Sequence, residues 1–255
     1  MKRKALLIGH NDASSPRLNG VNKDLYDIRE FLLSDFGGAW EPDEILYFSR
    51  PSADQLRKRL SYEGYNCDYL VTAFAGHGAH DPQFGSYIQL SDDETFLVSE
   101  LEHQALRQLV LVDACRAVLH ERILPPFRRV AGIEVGGFPD MDYRKMCRAV
   151  YESKILRAEE GTITIQSCSI DENAGDTPHG GLFTQALVRH AWRWATSISN
   201  SSSVQKVLNA KIAFDTAQQS TWQIAYQQRR PQLPAINGDL FDGSIRQRFF
   251  PFAVA

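Results

Sequence analysis

The chain has 255 residues, 43% hydrophobic and 23% charged, which is the composition of a globular protein and excludes disorder as its main state. With 28 Lys and Arg against 31 Asp and Glu, the formal charge of −3 excludes whole-chain affinity for nucleic acid or an anionic membrane. The longest apolar runs, such as 5–9 and 109–112, fall far short of the roughly 18 residues a membrane-spanning helix needs.

In chain order, Lys4–Gly9 (KALLIG) reads as a buried strand, and Asn22–Ser34 as a helix with Leu25, Ile28, Phe31 and Leu32 on one face. Glu44–Phe48 reads as a strand, Ala53–Leu60 as a helix, and Cys67–Ala75 and Gln108–Val112 as two more strands. Tyr143–Leu156 carries a helical apolar face, Thr162–Ile165 is a β-branched run, and Gly181–Trp194 is helical again. Alternation of strand and helix predicts an α/β sandwich, a mainly parallel sheet covered on both faces. A Gly- and Pro-rich loop over Ile123–Asp140 and a small polar linker over Ser197–Ser203 interrupt the pattern. A single domain over 1–255 is the expectation. Lys2, Arg3 and Lys4 imitate the start of a signal peptide, but Asn11 and Asp12 end the apolar stretch too early, so a soluble cytoplasmic protein is expected. Four cysteines (Cys67, Cys115, Cys147, Cys168) without a CxxC spacing point to free thiols rather than zinc or disulfides.

In an open parallel sheet, functional groups collect beyond the carboxyl ends of the strands. Two strands end in reactive residues: one runs into Ala75-Gly76-His77-Gly78, the other into Asp113-Ala114-Cys115-Arg116. A thiol has a pKa of about 8.5, and an adjacent imidazolium lowers it into the useful range. The histidine then returns the proton to a leaving amine, while the N–H groups of Gly78 and Cys115 hold an oxyanion, each donor worth about 2.7–4 kcal/mol. A spacing of 38 residues proves no contact, and a loop histidine with a core cysteine is the plain alternative.

The segments FAGHG (74–78) and VDACRA (112–117) resemble those of the caspase–metacaspase superfamily of cysteine peptidases. KALLIGHND, LNGVNKDLYDI (18–28) and TITIQSCSIDENA (162–174) before GGLFTQAL follow in the family's order. The resemblance implies a caspase-like three-layer sandwich of about six strands, with His77 as acid/base, Cys115 as nucleophile, and Gly78 with Cys115 as oxyanion donors. The chain looks most like bacterial caspase-like and metacaspase-like proteins, and that resemblance implies a link to cell death or antiviral defence.

Metacaspases line the S1 pocket with aspartates and cut after Arg or Lys; Asp113 and Asp24 stand at the two matching positions. A carboxylate in a cleft favours a cationic side chain through charge-assisted hydrogen bonds whatever the family. Against this, Asp24 also reads as an acid in the first turn of a helix and Asp113 as a solvated turn residue. Two departures matter: Ala75 replaces a serine many metacaspases use in S1, and Arg17, near a caspase S1 arginine, keeps aspartate specificity open. No cofactor is expected, although Asp92, Asp93 and Glu94 fall near a calcium-binding region of some relatives. His77 and His80 form an HxxH without further ligands at recognisable spacing. The expected partner is a protein or peptide substrate, with no nucleic acid and no membrane; the alternative class is a caspase-like scaffold awaiting an activator protein. Arg128-Arg129 and Arg144-Lys145 are candidate self-cleavage sites.

Overall fold

The first apolar run becomes β1 (Arg3–Gly9), a strand buried along nearly its whole length. The computed structural model describes residues 1–10, 18–117, 141–198, 206–238 and 250–255. Arg17, the Ile123–Asp140 loop with Arg128-Arg129, and most of the 197–203 linker lie outside those residues; Ser197 and Ile198 belong to a helix.

After β1 come α1 (Val21–Leu33), β2 (Ile45–Ser49), α2 (Ala53–Tyr65) and β3 (Tyr69–Ala75). Three short strands follow, β4 (Gly78–Asp81), β5 (Gly85–Gln89) and β6 (Thr95–Leu97), then β7 (Arg107–Asp113). The rest is α3 (Met141–Arg157), β8 (Gly161–Gln166), β9 (Asp176–Thr177), β10 (Gly180–Gly181), α4 (Leu182–Ile198), β11 (Val207–Asn209), α5 (Ala210–Gln227), β12 (Ala235–Gly238) and β13 (Pro251–Val254).

The central sheet has six strands in the order β12-β8-β7-β3-β1-β2, all parallel except the antiparallel edge β12. The two-residue period of a strand sends alternate side chains to opposite faces. Leu7, Val71 and Leu109 pack on one face with residues of α1, α3, α4 and α5. Leu6, Leu70 and Val110 pack on the other with Leu56 and Leu60 of α2 and with Ile88 and Phe96 of the small sheet. The α/β sandwich is therefore as expected, but its second layer is one helix plus the β4-β5-β6 sheet.

Helix ends follow local chemistry. Ser52 and Gln55 form a reciprocal capping box at α2, and the Glu94 carboxylate accepts from Ala53 N–H at 3.0 Å. Arg3 is structural: buried, stacked 4.5 Å over Trp40, it donates to the carbonyls of Gly38 and Ala39 and pairs with Glu44 at 3.3 Å.

Parallel register levels the strand ends. Gly9 lies beside Ala75, and Ala75 beside Asp113. The residues after β1, β3 and β7 therefore emerge side by side at one edge, where an open α/β sheet forms its cleft.

Candidate active site

The His77 and Cys115 segments leave adjacent strands two residues beyond the level pair Ala75 and Asp113. Gly76 N–H donates to Asp113 O at 3.1 Å and His80 N–H to Ala117 O at 3.3 Å, which fastens the two loops together. Between them Gly78 approaches so closely that a Cβ there would meet Tyr87 O at 2.8 Å, Ala114 Cβ at 2.9 Å and Cys115 O at 3.0 Å. Only glycine fits. The structure thus brings the backbone of the Gly-His-Gly segment against that of Cys115.

The side chains are at rest. Cys115 is half-buried and its Sγ donates to Ala174 O at 3.9 Å. His77 Nε2 is buried and has no hydrogen-bond partner among the described residues. Burial pushes the Cys115 thiol up, with Asp113 and Asp176 adding to the shift against the Ala174 contact. Burial also holds His77 below its ordinary value; the neighbouring His10 adds to this and Asp92 opposes it. The lowering of the thiol expected from an adjacent imidazolium is thus not found here, because burial disfavours the thiolate, the carboxylates add to that, and the imidazole is itself desolvated. An apo dyad often has such loose geometry and tightens on substrate.

Beside Cys115 lies a group of carboxylates. Asp24 is only 3% exposed, and both its oxygens accept from Gly181 N–H at 2.8 and 2.9 Å. Asp24 therefore serves the β9–β10 hairpin and not the end of its own helix, which answers the first-turn alternative. Asp113 accepts from the Thr184 hydroxyl at 2.5 Å and from Thr184 N–H at 3.3 Å, so it is not a solvated turn residue either. Gly181 packs directly on the Asp113 carboxylate, and Gly180, at φ +114°, packs on that of Asp24. Gly180 and Gly181, the second strand of the hairpin, are the clamp between the two acids.

A third carboxylate, Asp176, was not visible to sequence reasoning. Its oxygens accept from Asn19 N–H at 2.9 Å and Gly20 N–H at 3.0 Å, capping the start of α1, where Gly20 offers no side chain. Through register it faces Gly181 across the hairpin. Burial, then repulsion from Asp113, raises Asp24 well above the usual carboxylate range. Burial raises Asp113 against the hydrogen bonds of Thr184 and Ser167. Asp176 is pushed up to about 6 by burial, with Asp113 adding to it against the Asn19 bond. Among the described residues none of the three forms a salt bridge. Three grouped carboxylates, paired with no cation among the described residues, make a site that attracts one.

A second residue missed from sequence is His10, just past β1. It is 2% exposed and its ring meets that of His77 edge-on, with centroids 6.4 Å apart. The other candidates point elsewhere. His80 Nδ1 bonds Ser86 Oγ at 3.0 Å, and Arg116 reaches Ser86 Oγ and Cys168 O. Asp92 and Asp93 are exposed, while Glu94 caps α2. Cys147 and Cys168 are free thiols, as expected, and both are buried. Trp40 is packed, but Trp222 is 47% exposed and stacks on Tyr226 instead of filling the core. Arg144 is anchored in α3 by bonds to Leu33 O and Trp40 O, so cleavage after it would require opening that helix.

Among the described residues no helix is long and apolar enough to cross a membrane. The family described as the caspase domain, peptidase C14, matches residues 2–242. Caspase-1 from Spodoptera frugiperda is a similar solved structure, at 14% identity and TM-score 0.57, covering 92% of this chain and 86% of that one. A protein from Geobacter sulfurreducens is similar at 14% identity and TM-score 0.54, covering 93% of both chains. No curated protein sequence matches the chain.

Proposed function

Since the chain belongs to the caspase domain family, we propose that it is a cysteine endopeptidase that cuts protein or peptide substrates after Arg or Lys, with Cys115 and His77 as its dyad. The observation that supports the specificity is the cluster of the buried Asp24 with the half-buried Asp113 and Asp176 beside Cys115, tied to one hairpin by Gly181 N–H, Thr184 and the backbone of 19–20. A P1 guanidinium entering that pocket pairs with carboxylates that repel one another in its absence. An aspartate there would meet carboxylates instead of a cation.

The chemistry follows from the same charges. Once a P1 cation neutralises Asp113 and Asp176, the field that holds the proton on Cys115 weakens, and the proton passes to the His77 imidazole. The thiolate attacks the scissile carbonyl carbon, and the oxyanion is held by the N–H groups of Gly78 and Cys115. The C–N bond breaks as His77 gives its proton to the leaving amine. Water then adds to the thioester, releasing the new carboxyl terminus and restoring the thiol. Basic substrates both bind and activate.

A second reading rests on one observation, the resting dyad, in which Sγ bonds Ala174 O and His77 Nε2 is unbonded. On that reading the domain is silent until an activator protein reshapes the cleft. Incubating the purified protein with a peptide library and mapping cut bonds by mass spectrometry separates the two. Cuts after Arg or Lys, absent with Cys115→Ala, support the first reading; an intact library together with an uncut basic peptide favours the second.

A further inference from the structure

His10 follows β1 at the same edge of the sheet where His77 follows β3 and Cys115 follows β7. Its backbone is held by the strand that carries His77. His10 N–H donates to Ala75 O at 3.2 Å, and His10 O lies so near Gly76 that a Cβ there would meet it at 2.9 Å. Gly76 N–H in turn donates to Asp113 O at 3.1 Å. The three strand ends are therefore laced in a row, with His10 on the side of His77 away from the β7 end.

Burying an imidazole at a site 2% exposed costs more than burying an apolar side chain of like size. What the His10 ring meets there is the His77 ring, edge-on, with centroids 6.4 Å apart and planes inclined by 64°. The His77 backbone is held separately, by Gln89 N–H donating to His77 O at 2.9 Å. That bond fixes the chain and leaves the setting of the ring to its packing.

We propose that His10 is a positioning residue of the dyad, acting on the reaction through the ring of His77. The proposal rests on the reading that Cys115 and His77 form that dyad. A ring packed at this angle limits the arc through which the His77 imidazole turns, and a misplacement of about 1 Å can cost about 10²-fold in rate. Burial, then His10, holds His77 below its ordinary value, against Asp92 of the β5–β6 turn. Two imidazoles in contact resist a second positive charge. The proton that His77 takes from Cys115 Sγ is therefore held loosely and passes readily to the leaving amine nitrogen as the C–N bond breaks. The titratable groups around His77 are His10 beyond β1, Asp92 between β5 and β6 and Cys115 beyond β7; among the described residues His10 is the one in ring contact.

Two variants separate packing from charge. His10→Phe keeps an aromatic ring and cannot take up a proton, whereas His10→Asn is polar and has no ring. The readout is the titration of the His77 imidazole followed by heteronuclear NMR of the full chain, its resonances assigned by their loss in His77→Gln. Values of kcat and KM for arginine peptides come from the same preparations, with circular dichroism to confirm folding. Both variants should raise the His77 midpoint. In His10→Asn kcat should fall about tenfold or more with KM within about twofold of wild type, and His10→Phe should regain about threefold or more of that loss. A midpoint equal in wild type and His10→Phe, or a kcat unchanged in His10→Asn, overturns the proposal. The midpoint needs no turnover: if no basic peptide is cut, the peptidase reading fails, while a midpoint raised in His10→Phe still shows His10 acting on His77.

Discussion

Asp113→Asn separates attraction for the substrate from reactivity of the thiol. The asparagine is nearly isosteric, and its carbonyl oxygen still accepts the Thr184 hydroxyl that Asp113 holds at 2.5 Å, so the fold is untouched. Removing the partner of a desolvated cation costs about 3–5 kcal/mol. Asp24 and Asp176 remain in the pocket, which places the loss at the low end of that range. At a factor of ten per 1.36 kcal/mol, kcat/KM for a P1-arginine peptide should fall roughly 10²- to 10³-fold. The thiol should move the other way, because Asp113 is one of the carboxylates that push Cys115 up. Loss of that charge lowers the thiol pKa and raises its thiolate fraction, so alkylation by neutral iodoacetamide at pH 7 should quicken. The assay is kcat/KM and alkylation rate measured on the same two preparations. Parallel losses in both would show that the substitution merely damages the cleft, and an unchanged arginine rate would refute the pocket.

Cys115→Ala and His77→Ala should each abolish turnover with the melting temperature retained, and the double variant should be hardly worse than either, as for groups that act as a unit; substantial turnover by Cys115→Ala would end the dyad. Gly78→Ala should cost at least about 10²-fold in kcat, because its Cβ displaces Tyr87 O, Ala114 or Cys115 O, all within 3.0 Å, from the site where an oxyanion donor acts; normal kcat would remove Gly78 from that role. Asp24→Asn should raise Tm at pH 7.5 by at least about 2 °C while lowering arginine cleavage, since it keeps an acceptor for Gly181 N–H and removes a buried charge. A carboxylate whose folded pKa is raised stabilises the protein below its unfolded pKa and loses that contribution as pH rises through the folded value, so the Tm gain should vanish near pH 4. With Asp176 at about 6, its carboxylate is neutral and attracts no cation at lower pH; kcat/KM for arginine peptides should fall on the acid side of that value, and Asp176→Asn should flatten the limb.

What the sequence reveals divides along the range of the interactions. Five of the six central strands and all four assigned helices are local patterns, apolar runs and 3.6-residue faces, and each appears within a few residues of its expected place. The β4-β5-β6 sheet over 78–97 is not legible, because its strands are short and interspersed with Asp81, Pro82, Asp92 and Asp93, which read as turns. The edge strand β12 follows Pro231 and Pro234 and pairs antiparallel, a position that only tertiary context sets. At the site, His77, Cys115, Asp113 and Asp24 stand out because they sit at strand ends or in family segments. Asp176 sits in a two-residue strand whose only signal is the Asp-Thr-Pro-His-Gly-Gly turn, and His10 looks like the end of a strand. Both act across distances of 67 to 157 residues in sequence, which no local pattern encodes.

The central claim is that buried negative charge selects a basic P1 residue, and a series of peptides alike except at P1 tests it most directly. Arginine, lysine, citrulline and aspartate at P1 keep the rest of the substrate constant, and citrulline keeps the shape of arginine without its charge. The account predicts arginine and lysine cleaved fastest, citrulline down by roughly 10²-fold or more, and aspartate barely cut. Equal rates for arginine and citrulline, or faster cleavage after aspartate, would contradict it and turn attention to Arg17.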